Sequence, residues 1–212
     1  MNKFLRIGFF SVALAQSLYG VVATQWWELD KQNNTNPPPP NPTITDPLTI
    51  YENSTLNITT IAQPTNGGQL FDGNILFNNN LTINLKVDKR EGNKTTSIYK
   101  LLGTQDKTFS GTGTLRLIVD ATGAIGEQIF DIKQNGAGHT TKLEIGVKTN
   151  ISATEGSKIF SILRNAGGTV NFTNDLIVDL SKATGALDNN NPNNQGITDT
   201  RAIFDNTDNG TI

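Results

Sequence analysis

Three aspartates occupy comparable places in the chain, and their spacing offers a first candidate for chemistry. Asp88 follows LTINLKV, Asp120 follows TLRLIV and Asp179 follows LIV, so each ends an apolar-rich segment. If these segments are stacked strands, the carboxylates form a row about 5 Å apart that could serve acid–base catalysis or bind Ca²⁺. Aspartate is also common where a strand ends and a turn begins. In a further segment of this kind, KLEIGV, the residue that follows is Lys148 rather than an aspartate. We therefore favour strand-end aspartates and predict no catalytic residue.

The remaining reactive side chains are few. His139 is the single histidine, in NGAGHTT, and no Ser, Cys or acid at a plausible position partners it, so we interpret it as a surface turn residue. The chain has no cysteine, which excludes a thiol nucleophile, a thiolate metal site and disulfides. Its formal charge of −2 offers no basic surface for phosphates. We expect no cofactor, no metal and no nucleic-acid partner.

An asparagine-rich segment at 183–199, ATGALDNNNPNNQGITD, is the strongest candidate for binding. A loop that projects from a regular scaffold is a common place for binding residues. The alternative is a tolerated insertion without a function of its own. The candidate contact residues are Asp188, Asn189, Asn190, Asn191, Asn193 and Asn194.

The composition indicates which elements must position these residues. Hydrophobic residues make up 35% of the 212 residues, below the roughly 45–50% of typical globular domains. The chain contains 26 Asn, 28 Thr and 20 Gly. Threonine favours strands, whereas asparagine and glycine favour turns. The composition therefore predicts a β-rich protein with many turns and a narrow core.

Residues 1–23, MNKFLRIGFFSVALAQSLYGVVA, have the layout of a secretory signal peptide. Lys3 and Arg6 precede an apolar segment, and small residues precede a predicted cleavage between Ala23 and Thr24. The alternative, a membrane anchor, is less favoured because polar residues interrupt an apolar run already shorter than the roughly 20 residues of a span. We predict export with cleavage, and no integral membrane span in the rest of the chain.

Residues 24–47 are predicted to be an extended linker rich in Asn and Pro. Four consecutive prolines in the segment 31–47, KQNNTNPPPPNPTITDP, favour a stiff polyproline conformation. Trp26 and Trp27 are harder to interpret. They either cover the end of the following domain or remain exposed as a contact.

Two sequence themes repeat over the predicted domain at 48–212. The first is an aliphatic–aromatic pair, whose aromatic residues follow one another at steps of 28, 31, 30 and 44; they are Phe71, Tyr99, Phe130, Phe160 and Phe204. The second is a strand-like segment, which occurs as LTINLKVD, TLRLIVD, KLEIGVKT and LIVDL. The segment at 183–199 accounts for the one long step. A fixed repeat of about 30 residues is typical of stacked solenoids.

Within the second theme, apolar and polar residues alternate. Leu81, Ile83 and Leu85 share one face of a predicted strand, and the polar residues between them share the other. A β-sandwich is the alternative, but its strands recur every 8–12 residues without repeating themes. The predicted fold class is therefore all-β, a β-solenoid with about 30-residue repeats behind a signal peptide and a Pro-rich linker.

The leader, followed by copies of the form I-F-x-I-x-x-N-x-G and G-T-x-x-L-x-L-x-V, resembles the passenger region of Gram-negative autotransporters. The resemblance covers residues 1–23 and about 66–212. It implies a right-handed parallel β-helix that is displayed on the cell surface, in the outer membrane or extracellularly. It also implies a C-terminal translocator barrel, which this sequence lacks. Because the barrel is lacking and Thr211-Ile212 stop in mid-repeat, we expect the chain to be an N-terminal fragment.

The resemblance implies an adhesin or surface-interaction protein rather than an enzyme. Its expected partner is a host-cell or neighbouring-cell surface, protein or glycan. One alternative is a fragment of a β-helical carbohydrate-active enzyme, a polysaccharide lyase or hydrolase, whose site lies outside this chain. The other is an inert stalk. Exposed strand edges at the truncated end predict self-association.

Overall fold

The structure is a computed structural model that describes residues 20–31, 43–61, 71–89, 99–101, 105–120, 125–126, 130–133, 141–159, 163–183 and 204–207. Within these ranges the chain is almost entirely β-structure, with one 3₁₀ helix at Trp26–Leu29. The 17 strands are β1 (Val22–Ala23), β2 (Leu48–Ile50), β3 (Ser54–Ile61), β4 (Ile75–Phe77), β5 (Leu81–Lys89), β6 (Tyr99–Leu101), β7 (Lys107–Gly111), β8 (Thr114–Asp120), β9 (Ile125–Gly126), β10 (Phe130–Lys133), β11 (Lys142–Ile145), β12 (Lys148–Ala153), β13 (Lys158–Ile159), β14 (Leu163–Ala166), β15 (Thr169–Phe172), β16 (Leu176–Asp179) and β17 (Phe204–Thr207). A helix with the length and apolarity to span a membrane is not found in these ranges.

The strands pair in parallel and form separate sheets. The six-stranded sheet has the order β1-β3-β5-β8-β12-β16, the five-stranded sheet β15-β11-β7-β4-β2, and the four-stranded sheet β17-β14-β10-β6. A fourth sheet consists of the two strands β13 and β9. From β6 onward the chain visits the four-, five- and six-stranded sheets in turn, and it does so three times. The predicted all-β class is confirmed, and the parallel pairing is compatible with a solenoid. A β-sandwich is built from antiparallel sheets, so that alternative is rejected.

The pairing register shows the predicted repeat directly. In the six-stranded sheet Leu56 lies opposite Ile83, Ile83 opposite Leu117, Leu117 opposite Ile151 and Ile151 opposite Val178. The steps between these inward residues are therefore 27, 34, 34 and 27 residues. The repeat of about 30 residues is an average over units of two lengths, and the difference lies in the segments between strands.

The predicted alignment of the second theme is shifted by two residues between its first two copies, because Val119 lies opposite Leu85 rather than Val87. It is also wrong in the third copy. The segment KLEI forms β11, which belongs to the five-stranded sheet and pairs with β7 and β15. The six-stranded sheet continues instead with β12, where Ala153 lies opposite Val119. Leu143 and Ile145 are buried as predicted, but alternation with a period of two is common to strands of every sheet. The pattern therefore identified a strand without identifying its sheet.

The first theme is aligned correctly in three copies and slips in the fourth. Phe71 bridges to Tyr99, and Tyr99 lies opposite Phe130, as predicted. The next partner is Leu163 rather than Phe160, and Leu163 in turn lies opposite Phe204. The sequence KIFSIL contains two apolar pairs three residues apart, and the structure uses the second one.

Aromatic rings form a connected series in the interior. Trp26 stacks on Phe71 with 5.1 Å between ring centroids, and Phe71 meets the edge of Tyr99 at 6.1 Å. Tyr99 contacts Phe109 at 5.0 Å, and Phe109 contacts Phe77 at 6.0 Å. Such pairs add about 0.5–1.5 kcal/mol each beyond the burial of their surface. The rings therefore connect the N-terminal end of the core to its successive units.

Tyr99 lies in the middle of this series, and its hydroxyl donates a hydrogen bond to the carbonyl oxygen of Gly73 at 3.1 Å. Burial raises the pKa of Tyr99 well above its ordinary value, so the hydroxyl stays protonated. A side chain at Gly73 would force the ring of Phe71 to move, because a Cβ built there would stand 2.6 Å from that ring. The tyrosine thus binds the backbone of the preceding unit.

Acidic and amide side chains connect successive units where strands begin. The Asp46 carboxylate accepts the backbone N–H of Asn74 at 2.9 Å, and the Asn74 side chain accepts the N–H of Thr108 at 2.8 Å. Asn80 accepts the N–H of Thr114 in the same way, at 3.0 Å. Each bond joins one unit to the next and satisfies a backbone donor that would otherwise face water at a corner.

The N-terminal segment packs on this body. Ala23 lies in β1 opposite Leu56 and is fully buried, and the backbone N–H of Thr24 donates to Glu28 at 2.6 Å. Trp26 and Leu29 are buried within the hydrophobic core. The proline run of the predicted linker lies in 32–42, outside the described residues. Cleavage between Ala23 and Thr24 stays a prediction.

The two tryptophans have different environments. Trp26 is 2% exposed, and its indole N–H has no hydrogen-bond partner within the described part of the chain. Trp27 is half-buried, and its indole N–H donates to the Gln25 side chain at 2.8 Å. Of the two interpretations left open by the sequence, Trp26 therefore follows the first and covers the end of the core.

We predict that the side chain of Asn74 stabilises the stack. Asn74→Ala removes the acceptor of the Thr108 N–H and is expected to lower the free energy of unfolding by about 1 kcal/mol. Asn171→Ala is the matched control, because Asn171 is exposed on β15, and its expected effect stays within about 0.5 kcal/mol. Urea denaturation followed by circular dichroism measures both. Equal stabilities of the two variants would contradict the connecting role of Asn74.

We also predict that only one tryptophan supports the core. Trp26→Ala is expected to lower the free energy of unfolding by about 3–5 kcal/mol, since it leaves a cavity over Phe71. Trp27→Ala is expected to cost about 1 kcal/mol or less. Trp26→Phe retains a ring and removes the unpaired N–H, so it should be the milder change at that position. If denaturation gives Trp27→Ala the larger loss, the assignment of the two tryptophans is reversed.

Candidate functional site

The outer face of the six-stranded sheet carries two rows of aligned side chains. Strand residues that point inward are apolar and buried, so the alternate residues point outward. The amide row consists of Asn57 on β3, Asn84 on β5 and Ile118 on β8, which lie opposite one another. The second row, which we call the charged row, consists of Thr59, Lys86 and Asp120 on the same three strands.

In the amide row the two asparagines are hydrogen-bonded to each other. The Nδ2 of Asn84 donates to the Oδ1 of Asn57 at 2.8 Å. Parallel pairing places the two identical side chains opposite each other on neighbouring strands, which is why this bond can form. It uses one of the four N–H donors and one of the two carbonyl oxygens that a pair of amides possesses. The amide groups are therefore oriented and retain capacity for further hydrogen bonds.

In the charged row two opposite charges lie side by side. Lys86 on β5 is the register partner of Asp120 on β8. Lys86 is exposed, whereas Asp120 is half-buried. Adjacent strands are about 4.8 Å apart, so the cation and the anion largely cancel each other's field at a distance. The charged row therefore carries no net formal charge, and the exposed Arg116 lies on the same outer face, opposite Thr82.

The two rows line a shallow recess. Its volume is about 360 Å³, within the range of roughly 300–1,000 Å³ that is usual for small-molecule sites. Thr154, directly after β12, adds a hydroxyl to the lining. The backbone N–H of Thr154 donates to the carbonyl oxygen of Val119 at 2.9 Å, and its hydroxyl lies 3.0 Å from that of Ser157. This part of the wall is therefore held by the sheet itself.

The recess is suited to binding by hydrogen bonds. Its lining combines amides, hydroxyls, one ammonium and one carboxylate around the half-buried side chain of Ile118, with the buried Ile58 and Leu85 beneath. Among the described residues, acidic and histidine side chains do not gather in groups of three or more that could hold a metal ion. Sequence reasoning missed this recess, because the matching rows become visible only when the register between β3, β5 and β8 is known.

The predicted aspartate row is not formed. Asp120 lies opposite Lys86, whereas Asp179 lies opposite Ser152, two positions out of the charged row. Lys148 pairs with Thr114 at the other end of the strands. Asp88 lies two residues beyond Lys86, and its side chain is outside the described set. The register of β5, β8 and β12 therefore differs by two positions from the predicted alignment, and Asp120 and Asp179 do not fall in one row.

Asp179 has instead the environment of a strand-end aspartate. Its carboxylate accepts hydrogen bonds from the hydroxyl of Ser181 at 2.7 Å and from the backbone N–H of Ser181 at 3.1 Å. These two bonds lower the pKa of Asp179 below its ordinary value. Aspartate side chains commonly close turns in this manner.

The other candidates from the sequence lie outside the described residues. His139 is in the range 134–140, which the description does not include. The predicted contact residues of the segment at 183–199 are equally outside it; they are Asp188, Asn189, Asn190, Asn191, Asn193 and Asn194. They remain predictions.

One ion pair lies away from the recess, at the start of the five-stranded sheet. The Nζ of Lys107 donates to the Asp46 carboxylate at 3.2 Å. Burial opposes the ionisation of Asp46, but the hydrogen bonds from Asn74 and Lys107 outweigh it, and the pKa of Asp46 is lowered. The Asp46 side chain is 46% exposed, so solvent screens much of this interaction.

Comparison with known proteins finds no matching family model, no matching curated protein and no matching solved structure. The class of the protein is therefore defined by its own architecture, an all-β chain with parallel sheets and a polar recess on the largest of them.

The lowered pKa of Asp46 predicts a dependence of stability on pH. A carboxyl group whose pKa is lower in the folded state stabilises above its unfolded pKa of about 3.9, and this contribution is lost as the pH falls through the folded value. The stability difference between the wild type and Asp46→Asn is expected to be about 1 kcal/mol or less at pH 6. It should shrink towards pH 3. Urea denaturation at both pH values measures it.

Added salt provides the control for this experiment. The part of the difference that comes from Lys107 should weaken in 1 M NaCl, where the Debye length is about 3 Å. A difference that stays constant from pH 6 to pH 3 would show that ionisation of Asp46 does not stabilise the fold.

Proposed function

We propose that this chain is an exported β-solenoid that acts by contact with other surfaces, as an adhesin or surface-interaction protein. In this proposal the repeated passage through the three large sheets closes into a right-handed parallel β-helix. The cyclic strand order and the steps of 27 and 34 residues in the six-stranded sheet support it. The resemblance to autotransporter passengers supports the handedness and the display on the cell surface or in the extracellular medium.

The functional proposal depends on one observation, the aligned polar side chains of the amide row and the charged row on the outer face of the six-stranded sheet. Asn57 and Asn84 repeat the same amide on successive strands and are hydrogen-bonded to each other. A stack that repeats similar groups at fixed spacing can make many weak contacts with one partner, and linked contacts raise the overall affinity without any single strong site. A host-cell or neighbouring-cell surface, protein or glycan, is the partner that such multivalent binding fits.

Export is the second part of the proposal. Lys3, Arg6 and the apolar segment that follows them support a signal peptide with cleavage between Ala23 and Thr24. A contact function at a cell surface requires this route, so the two parts are linked.

Two measurements test the proposed function. When the full chain is expressed in a Gram-negative host, the protein is expected outside the cytoplasm with residue 24 as its first residue, as measured by fractionation and mass spectrometry. Beads coated with the purified protein are expected to remain on epithelial or bacterial cell layers several-fold more than beads coated with albumin. Retention equal to that of albumin on every surface would instead favour an inert stalk. Cytoplasmic retention with an intact leader would reject export.

A further inference from the structure

We propose that the recess on the six-stranded sheet is a binding site for a neutral oligosaccharide. The inference rests on the proposed function, because it names the ligand class and the site through which this face would make contact. Three properties of the recess support it: its amides, the balance of the charges in its lining, and the half-buried apolar side chain of Ile118.

The amides match a ligand that is rich in hydroxyl groups. Every sugar hydroxyl both donates and accepts a hydrogen bond, and every asparagine amide can do the same. The bond from Asn84 to Asn57 at 2.8 Å fixes the plane of each amide before a ligand arrives. Groups that are already oriented lose little conformational freedom on binding. The amide row therefore offers both donors and acceptors at a low entropic cost.

The two charged side chains that line the recess, Lys86 and Asp120, favour a ligand without a net charge. Lys86 and Asp120 are register partners, so a polyanionic chain would meet the carboxylate and a polycationic chain would meet the ammonium group. A neutral ligand meets neither repulsion and can still accept a hydrogen bond from Lys86 and donate one to Asp120. Hydrogen bonds to charged groups are stronger than those between neutral groups.

The third property is an apolar contact next to the amides. Ile118 lies opposite Asn84 in the same row and is half-buried on the outer face. A pyranose ring carries hydroxyls at its edge and C–H groups on its faces, so it can bind amides and an aliphatic side chain together. The three strands span about 10 Å, and the recess of about 360 Å³ has room for a short oligosaccharide.

Titration calorimetry with the full chain tests the site. The probes are chitotriose and maltotriose, which are neutral, and a heparin tetrasaccharide, which is polyanionic. At least one neutral probe is expected to bind with a dissociation constant of about 1 mM or tighter, and the heparin probe is expected to bind more weakly. Failure of both neutral probes, or a preference for heparin, overturns the inference.

Variants locate the site. Asn84→Ala removes one hydrogen-bonding amide and is expected to weaken binding of the neutral probe about tenfold. Asn84→Asp keeps the shape of the side chain, removes its donor and should weaken binding as well. Asn171→Ala is the matched control, since Asn171 is exposed on β15 in a different sheet, and its affinity should equal that of the wild type. Unchanged affinity in both Asn84 variants overturns the assignment of the site.

The two proposals can fail separately. If coated beads remain on cells while neither neutral probe binds, the contact function stands and the oligosaccharide site is rejected. If a neutral probe binds and Asn84→Ala weakens it while beads do not remain on any surface, the site stands and the contact function is rejected.

Discussion

The structure depends on the hydrogen bonding of each unit to the unit before it, in a fixed register. Strands such as β3, β5 and β8 pair in parallel over most of their length, so Leu56, Ile83 and Leu117 align on the inner side. A slip of one residue would turn these side chains outward and move their polar neighbours into the core. The same register creates the outer rows. Core and recess are thus two consequences of one pairing.

The abundance of asparagine follows from this arrangement. Asn74 and Asn80 accept backbone N–H groups of the following unit where strands begin. The buried side chain of Asn165 bonds both the N–H and the carbonyl oxygen of Gly168 across a turn in which Gly167 has a φ of 81°. A narrow core leaves many backbone groups near corners, and amide side chains satisfy them. The composition that looked poor for a globular core is suited to a stack.

The sequence was sufficient for the all-β class and for the repeat, but not for every strand or its partners. Alternation identified the inward residues of β5, and the aromatic steps identified Tyr99 as the partner of Phe71. The same alternation could not assign KLEI to its sheet, because it is a property of a strand and not of its neighbours. Trp26 was equally undetermined, since its burial depends on a ring 45 positions away, at Phe71. The recess needed the register of three strands.

The place of Ala23 in β1 has a consequence for biosynthesis. The residue is fully buried and paired with β3, and the adjoining Thr24 is bonded to Glu28. A peptidase needs an accessible peptide bond, whereas Ala23 on one side of this bond is buried and paired with β3. The proposed cleavage at this bond would therefore have to come before folding of the N-terminal end. In the proposed mature chain, which would begin at Thr24, β1 is absent and β3 is the first strand of the six-stranded sheet, with its edge open to another chain.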